Sequence, residues 1–237
     1  MSAYSLIINL FSVASWMKLV QGQDMKPFII SVVAIMLIAS AASLPFVLNA
    51  GFGQAPQGVE KSQIERSPNY RDGAFQNALP TPGFTGDKNM VMAWWEFLTA
   101  KRENARPTQP LPMVPTDLAS LPLGQDTMIW LGHSSWYLQL SGKRILIDPV
   151  FSNYAAPFSF LNKAFPGDYP WRAENMPEID LLIISHDHYD HLDYATIKGL
   201  MPKIKRAVVP LGVGSHLRYW GMKRSEEHTS ELQSLQQ

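Results

Sequence analysis

The chain has 237 residues, enough for one or two domains, and 46% of them are hydrophobic, enough to build a packed core. Twenty basic residues balance twenty acidic ones, which argues against nucleic acid as a partner. There is no cysteine, which excludes a disulfide framework, a thiol nucleophile and a thiolate metal site. Any bound transition metal must therefore use histidine, aspartate or glutamate, and the chain has six histidines.

An uncharged and almost wholly apolar stretch occupies residues 28–50 near the N-terminus. As a helix it would span roughly 34 Å, enough to cross the hydrocarbon core of a bilayer. Two lysines precede it, and the charges that follow are mixed in sign. We therefore predict an N-terminal segment at 1–26, a transmembrane helix or signal anchor at 27–50, and a single-pass protein with an extracytoplasmic (periplasmic) catalytic domain. A cleaved signal peptide, cut near the small residues 39–41, and a buried soluble helix are the alternatives.

Residues 51–126 are predicted to form an extended arm with one helix. The part at 51–87 is rich in Gly, Pro, Asn and Gln and shows little periodicity, which is typical of irregular structure. Apolar residues recur at helical spacing over 89–101 and predict the helix. Five prolines between 107 and 122 then interrupt any regular element.

Short β-rich runs begin at Thr127 and predict an α/β layered domain. The predicted strands are 128–131, 136–140, 144–147, 181–184 and 207–209, with a helix at 193–200. Ser141 and Gly142 supply a hairpin turn between the second and third strands. The continuous apolar run at 181–184 favours a strand that is covered on both faces.

The last residues do not resemble ordinary protein sequence. The run RSEEHTSELQS at 224–234 matches, at all eleven positions, the in-frame translation of a common sequencing-adapter oligonucleotide. We therefore expect 224–237 to be an adapter-derived artefact that packs against nothing specific, and we exclude His228 from any site. We also expect the native chain to continue beyond Lys223; an ordinary polar terminal helix is the alternative.

The candidate metal ligands follow the strand at 181–184 and form the pattern H-x-H-x-D-H at 186–191. In extended backbone, His186 and His188 point to the same side and can bind one ion. If the chain then bends into a helical turn, Asp190 and His191 turn toward a second ion. Imidazole and carboxylate ligands suit zinc and leave the site competent for hydrolysis.

Two further residues are candidates for the same pocket. Asp148 ends the strand at 144–147, where its carboxylate could accept a hydrogen bond from a ligand histidine. Capping of the turn at Pro149 is an equally good explanation for this aspartate. His133 also follows a strand and could line the pocket, although a lone histidine is more often structural. His216 is better explained as an ordinary surface or core histidine.

Four motifs in succession resemble the metallo-β-lactamase superfamily. They are WLGHSS at 130–135, IDPVFS at 147–152, ISHDHYDHLD at 184–193 and VPLG at 209–212. Within the superfamily, they are similar to the branch that contains the N-acylphosphatidylethanolamine-hydrolysing phospholipase D, and the arm sequence SPNYRDGAFQN at 67–77 resembles a leader of its bacterial members.

This resemblance implies the first half of an αββα sandwich over 127–223, preceded by the transmembrane helix. It also implies two zinc ions, with His186 and His188 at one and Asp190 and His191 at the other. The later ligands that the family uses have no counterpart before Lys223, so we expect this 237-residue chain to be inactive by itself.

The function predicted for the whole protein is that of a metal-dependent hydrolase. A hydroxide activated by two metal ions would attack N-acylphosphatidylethanolamine-like phospholipids, with Asp190 as the catalytic residue. The partners would be a phospholipid or other phosphodiester substrate and the membrane. Aromatic residues between 151 and 171 could form a substrate rim or simply pack over the sandwich. A lactonase or phosphodiesterase of small substrates and a non-catalytic membrane-bound binding protein are the alternatives.

Overall fold

A computed structural model describes residues 26–47, 49–79, 89–101, 103–158, 162–167, 169–223 and 227–230. The chain divides into two compact units, with the boundary between Asn49 and Ala50.

The first unit contains helix α1, Lys26–Val47. Among the described residues, no helix is both long enough and apolar enough to span a bilayer. The predicted anchor at 27–50 is therefore wrong, and so is the single-pass, extracytoplasmic placement that depended on it.

The second unit begins with a short 3₁₀ turn and four small elements. These are the 3₁₀ turn Ala50–Phe52, helix α2 (Val59–Arg66), the hairpin strands β1 (Tyr70–Arg71) and β2 (Ala74–Phe75), and helix α3 (Met90–Thr99). The predicted helix near 89–101 is confirmed, and the Asn89 side chain caps it by accepting a hydrogen bond from the Met92 N–H at 2.9 Å. Helix α2 was not predicted; this part of the chain was predicted to be an extended arm.

One mixed sheet forms the centre of the second unit in the part of the chain that the structure describes. Its strands are β3 (Thr127–Gly132), β4 (Ser135–Leu140), β5 (Lys143–Ile147), β6 (Leu181–Ile183), β7 (Ala207–Pro210) and β8 (Glu227–Ser230). They lie side by side in chain order. The pairs β3–β4 and β4–β5 are antiparallel, and the later pairs are parallel. The α/β class is confirmed, and the mixed sheet is consistent with a metallo-β-lactamase fold.

The turn between β4 and β5 depends on the two residues predicted for it. Ser141 and Gly142 both have positive φ, 49° and 73°, which is the conformation that a tight hairpin with matching twist requires. Leu140 consequently pairs with Lys143 across the turn.

Helices α4 (Tyr194–Leu200) and α5 (Gly214–Tyr219) follow β6 and β7. Asp193 caps α4 by accepting from the Ala195 N–H. The fully buried side chains of the core come from both sheet and helices: Tyr137, Leu146, Leu182, Ile197, Leu200 and Leu217. Strand β6 alternates, with Leu182 buried and its two neighbours half-buried, so only one of its faces is fully covered and the predicted cover on both faces is not observed.

The C-terminal tail is described only at β8, Glu227–Ser230. Ala207 of β7 pairs with Glu227, and Pro210 pairs with Ser230. The expectation that the tail packs against nothing specific is therefore wrong for these residues. A physical reason is that β7 otherwise presents unpaired N–H and C=O groups, which readily accept another extended segment.

Candidate metal centre

Three loops meet at one edge of the sheet. Strands β3 and β5 run in the same direction, because each is antiparallel to β4, and β6 is parallel to β5. The loops after these three strands therefore leave from the same edge, and they carry His133, Asp148 and the H-x-H-x-D-H motif. The Asp148 N–H donates to the Ile183 carbonyl at 3.0 Å, which holds two of the loops together.

Asp148 is the buried centre of this arrangement, with 4% of its surface exposed. One carboxylate oxygen accepts from the Ser185 N–H at 2.7 Å, and the other accepts from the Ser185 hydroxyl at 2.6 Å. The second oxygen also lies 2.9 Å from His191 Nδ1. A histidine that donates from Nδ1 to a carboxylate keeps Nε2 unprotonated and fixed in direction, as a metal ligand must be.

His133 is the most exposed member of the group. Its Nε2 lies 3.0 Å from an oxygen of the Asp190 carboxylate, and its backbone has a positive φ of 45°. The Trp130 indole N–H donates to the His133 carbonyl, and the Ser134 hydroxyl donates to the Asp190 carbonyl. Among the described residues, His133, Asp190 and His191 offer ligand atoms that all lie within 4.8 Å of one another.

The other two histidines of the motif lie beside this group. The ring centroid of His186 is 3.9 Å from that of His191 and 4.6 Å from that of His188. His186 and His188 are not members of the group within 4.8 Å. The assignment of His186 and His188 to one ion and of Asp190 and His191 to another stays a prediction.

The electrostatics of the cluster suit a cation. Burial lowers the pKa of His186, and the neighbouring His191 and His188 lower it further, against the opposing effect of Asp148 and Asp190. Burial alone raises the pKa of Asp190, but hydrogen bonds from the His133 side chain and from backbone, with the charges of His191 and His133, hold it below its usual value. The histidine is therefore neutral and the aspartate ionised near pH 7, which are the states in which both bind metal.

Two residues that connect the loops were not predicted. Ser185 joins Asp148 to the start of the motif, as described above. Asp193 is buried and accepts from the Ser152 N–H at 3.1 Å. The Thr196 hydroxyl donates to the Asp193 carboxylate and accepts from the Phe151 N–H. The sequence signal that could have identified Asp193 is its position at the start of the helix predicted at 193–200, where aspartate is a favoured N-cap.

The aromatic loop between 151 and 171 divides between core and surface. Trp171 is buried in the hydrophobic core, and the partly buried side chain of Phe151 packs against that core. Phe165 is 44% exposed, and Phe158 contacts Phe52 at 5.6 Å between ring centroids. Residues 159–161 lie outside the described part of the chain.

Comparison with known proteins gives relatives of several kinds. The chain is 38% identical over 200 residues to the "Uncharacterized protein Rv0906" of Mycobacterium tuberculosis, and the alignment covers 80% of this chain and 53% of the relative. It is 37% identical over 106 residues to the N-acyl-phosphatidylethanolamine-hydrolyzing phospholipase D 1 of Caenorhabditis elegans, with 42% of this chain and 29% of the relative aligned. It is 31% identical over 123 residues to the cytidine monophosphate-N-acetylneuraminic acid hydroxylase of Pan troglodytes, with 50% of this chain and 20% of the relative aligned.

Among solved structures, CmlA, a diiron β-hydroxylase from Streptomyces venezuelae, overlaps 44% of this chain and 20% of its own, at 26% identity and a TM-score of 0.35. The chain thus spans about half the length, or less, of the proteins it matches. Residues 143–236, which include Asp148 and the whole histidine motif, match the family model described as the Beta-lactamase superfamily domain. This stretch of the chain is therefore similar to the β-lactamase superfamily domain.

Proposed function

We propose that this protein is a metal-dependent phosphodiesterase that acts on N-acylphosphatidylethanolamine-like phospholipids. The observation that carries the proposal is the buried carboxylate–histidine pair of Asp148 and His191, beside three more imidazole rings and one ionised carboxylate. Surface histidines do not need a buried carboxylate to orient them, whereas metal ligands usually have one.

The residues present fit a metal ion by the chemistry of their donors. His186, His188, Asp190 and His191 supply three imidazoles and a carboxylate, and His133 supplies another imidazole. These donors suit zinc, and they would also accept iron or manganese. When bound, the metal would lower the pKa of a coordinated water toward neutrality and polarise a phosphoryl oxygen of the substrate.

Asp190, His133 and Asp148 would each have a separate role in the reaction. Asp190, ionised at neutral pH, would bind metal and accept a hydrogen bond from the attacking water, which would orient it. His133 would hold the Asp190 carboxylate in place through the 3.0 Å contact. Asp148 would touch no substrate; it would keep the His191 ring aligned and hold the proton that His191 Nδ1 shares with it.

The phospholipid substrate is supported by the similarity to the Caenorhabditis elegans phospholipase D. A lactonase or phosphodiesterase for small substrates would use the same donors, and a non-catalytic binding protein would not need a carboxylate placed to orient water.

The experiment compares three substrates on the zinc-loaded full-length protein. The substrates are N-acylphosphatidylethanolamine in mixed micelles, bis(p-nitrophenyl) phosphate and a simple lactone. We expect the lipid to release phosphatidic acid, and Asp190→Ala to remove most of this activity. Asp187→Ala is the matched control, since it removes an exposed carboxylate from the same loop. Faster turnover of the lactone would favour the alternative hydrolase, and Asp190→Ala with unchanged activity would refute the mechanism.

A further inference from the structure

Residues 50–66 precede the sheet in sequence and pack against helix α5, which follows β7. We call residues 50–66 the strap. It comprises the 3₁₀ turn Ala50–Phe52, an irregular connection and helix α2. Its contacts with the metal-binding domain are polar and specific, which distinguishes it from a linker.

Three side chains at or just after α5 hold the strap. The Trp220 indole N–H donates to the Ala50 carbonyl at 2.8 Å. His216 Nδ1 accepts from the Gln54 N–H at 3.1 Å. Arg218 forms an ion pair with Glu60, and both side chains of this pair are largely shielded from solvent.

The fit between the strap and the domain is close at Gly53. This glycine has a φ of +66°, and a Cβ placed on it would lie 1.9 Å from His216 Nδ1. No other residue fits there without moving the histidine. Gly212, which follows β7, also lies close to the strap. It has a φ of +94°, and a Cβ placed on it would lie 3.0 Å from Ile64 Cδ1.

This anchoring brings Phe52 onto the metal-ligand loop. The Phe52 ring lies edge-on to Tyr189, with centroids 6.3 Å apart and planes at 69°. Tyr189 lies between His188 and Asp190 in the chain, so a contact that fixes Tyr189 restrains the backbone that carries both ligands. Edge-to-face aromatic pairs of this kind stabilise beyond the area they bury.

We propose that the strap is a positioning element for the metal centre, in which Phe52 holds Tyr189 and thereby the loop 188–191. The proposal rests on the proposed metal site, because the loop matters only if its ligands must be held in place. Phe52 touches no reacting group in this scheme; it acts through Tyr189. The loop closes on itself through hydrogen bonds from the His191 and Leu192 N–H groups to the His188 carbonyl, at 2.9 and 2.7 Å.

Those two amides provide a readout that needs neither metal nor turnover. Hydrogen–deuterium exchange of peptides covering 188–192 is measured in the 237-residue chain, in wild type and in Phe52→Ala. Phe52→Ala removes the ring that pairs with both Tyr189 and Phe158. It should speed exchange of these amides about threefold to tenfold, while amides of β3 and β4 stay unchanged. Phe52→Tyr keeps the ring and should restore protection.

Phe75→Ala is the matched control. Phe75 forms a similar edge pair with Tyr70, with centroids 5.1 Å apart and planes at 71°, in the hairpin of β1 and β2 rather than in the strap. We expect it to leave exchange at 188–192 unchanged. Exchange in Phe52→Ala within twofold of wild type would overturn the proposal, as would equal acceleration in β3 and β4 or in Phe75→Ala. Absence of hydrolase activity in the previous experiment would refute the proposed reaction without altering this result.

Discussion

Asp148 shows how a single buried carboxylate can organise a cluster of side chains. It accepts two hydrogen bonds from Ser185 and aligns His191, and its own backbone is held at a φ of +42°. A non-glycine residue in this region is uncommon, although aspartate adopts it more readily than most, and here it directs the Asp148 carboxylate to Ser185 and His191.

Replacement of Asp148 by alanine should therefore weaken zinc binding by about 10- to 100-fold, the usual cost of losing a partner that orients a ligand. Competition with a chromophoric chelator measures the affinity. Asp180→Ala is the control, because Asp180 is another loop carboxylate that bonds to the Arg144 N–H and Lys205 rather than to the cluster. Equal zinc affinity in wild type and Asp148→Ala would contradict this role.

His216 should make stability depend on pH. Burial lowers its pKa, against the opposing charges of Asp187 and Glu60, so the folded protein favours the neutral ring that accepts the Gln54 N–H. Because the folded pKa lies below the unfolded value of about 6.5, this stabilisation is present above about pH 6.5 and is lost as the pH falls through the folded pKa.

The urea midpoint should consequently fall more between pH 7.5 and 5.5 in wild type than in His216→Asn, which keeps an acceptor but does not titrate. Equilibrium unfolding followed by tryptophan fluorescence gives both midpoints. Parallel pH profiles for the two proteins would show that His216 does not contribute this dependence.

At the scale of elements, the strands could be predicted from the sequence because the residue patterns that indicate them are local. Each predicted strand was confirmed within about two residues, since alternation or a short apolar run is visible without knowing the fold. Helix α2 was missed because its sequence, VEKSQIER, is mostly polar and buries only Ile64. Its helical state is supported by tertiary contacts that no local pattern contains.

The same distinction separates the parts of the site that were predicted from those that were not. The H-x-H-x-D-H motif is contiguous, so residue types and spacing alone indicated it. The strap is invisible to that approach, because Gln54 and His216 are 162 positions apart. The membrane anchor was predicted from an uncharged and almost wholly apolar segment, but among the described residues no helix is long enough and apolar enough to span a bilayer.

Strand β6 is the element that joins the core to the metal loop, and Leu182 is its fully buried residue. Leu182→Ala should lower the free energy of unfolding by about 2–5 kcal/mol, because the removed methyl groups leave a cavity beneath the sheet. Leu140→Ala, at a position 50% exposed, should change it by less than about 0.5 kcal/mol. Urea titration measures both, and comparable effects at the two sites would show that β6 is less tightly packed than the structure indicates.

The number of metal ligands among the described residues limits how many ions these residues can hold. Within the described residues, one group of three donors can converge on an ion, formed by His133, Asp190 and His191. His186 and His188 add two imidazoles, whereas a catalytic zinc normally takes three protein ligands and a water. A second ion would therefore lack protein ligands.

We accordingly expect the 237-residue chain to keep at most one zinc ion after dialysis and to hydrolyse the lipid phosphodiester no faster than its Asp190→Ala variant. Elemental analysis of metal per chain, with the lipid assay on the same sample, measures both quantities. Asp187→Ala should retain as much metal as wild type, because its carboxylate is not among the converging donors. Two firmly retained ions together with turnover above the Asp190→Ala level would show that the described donors are sufficient for a dinuclear centre.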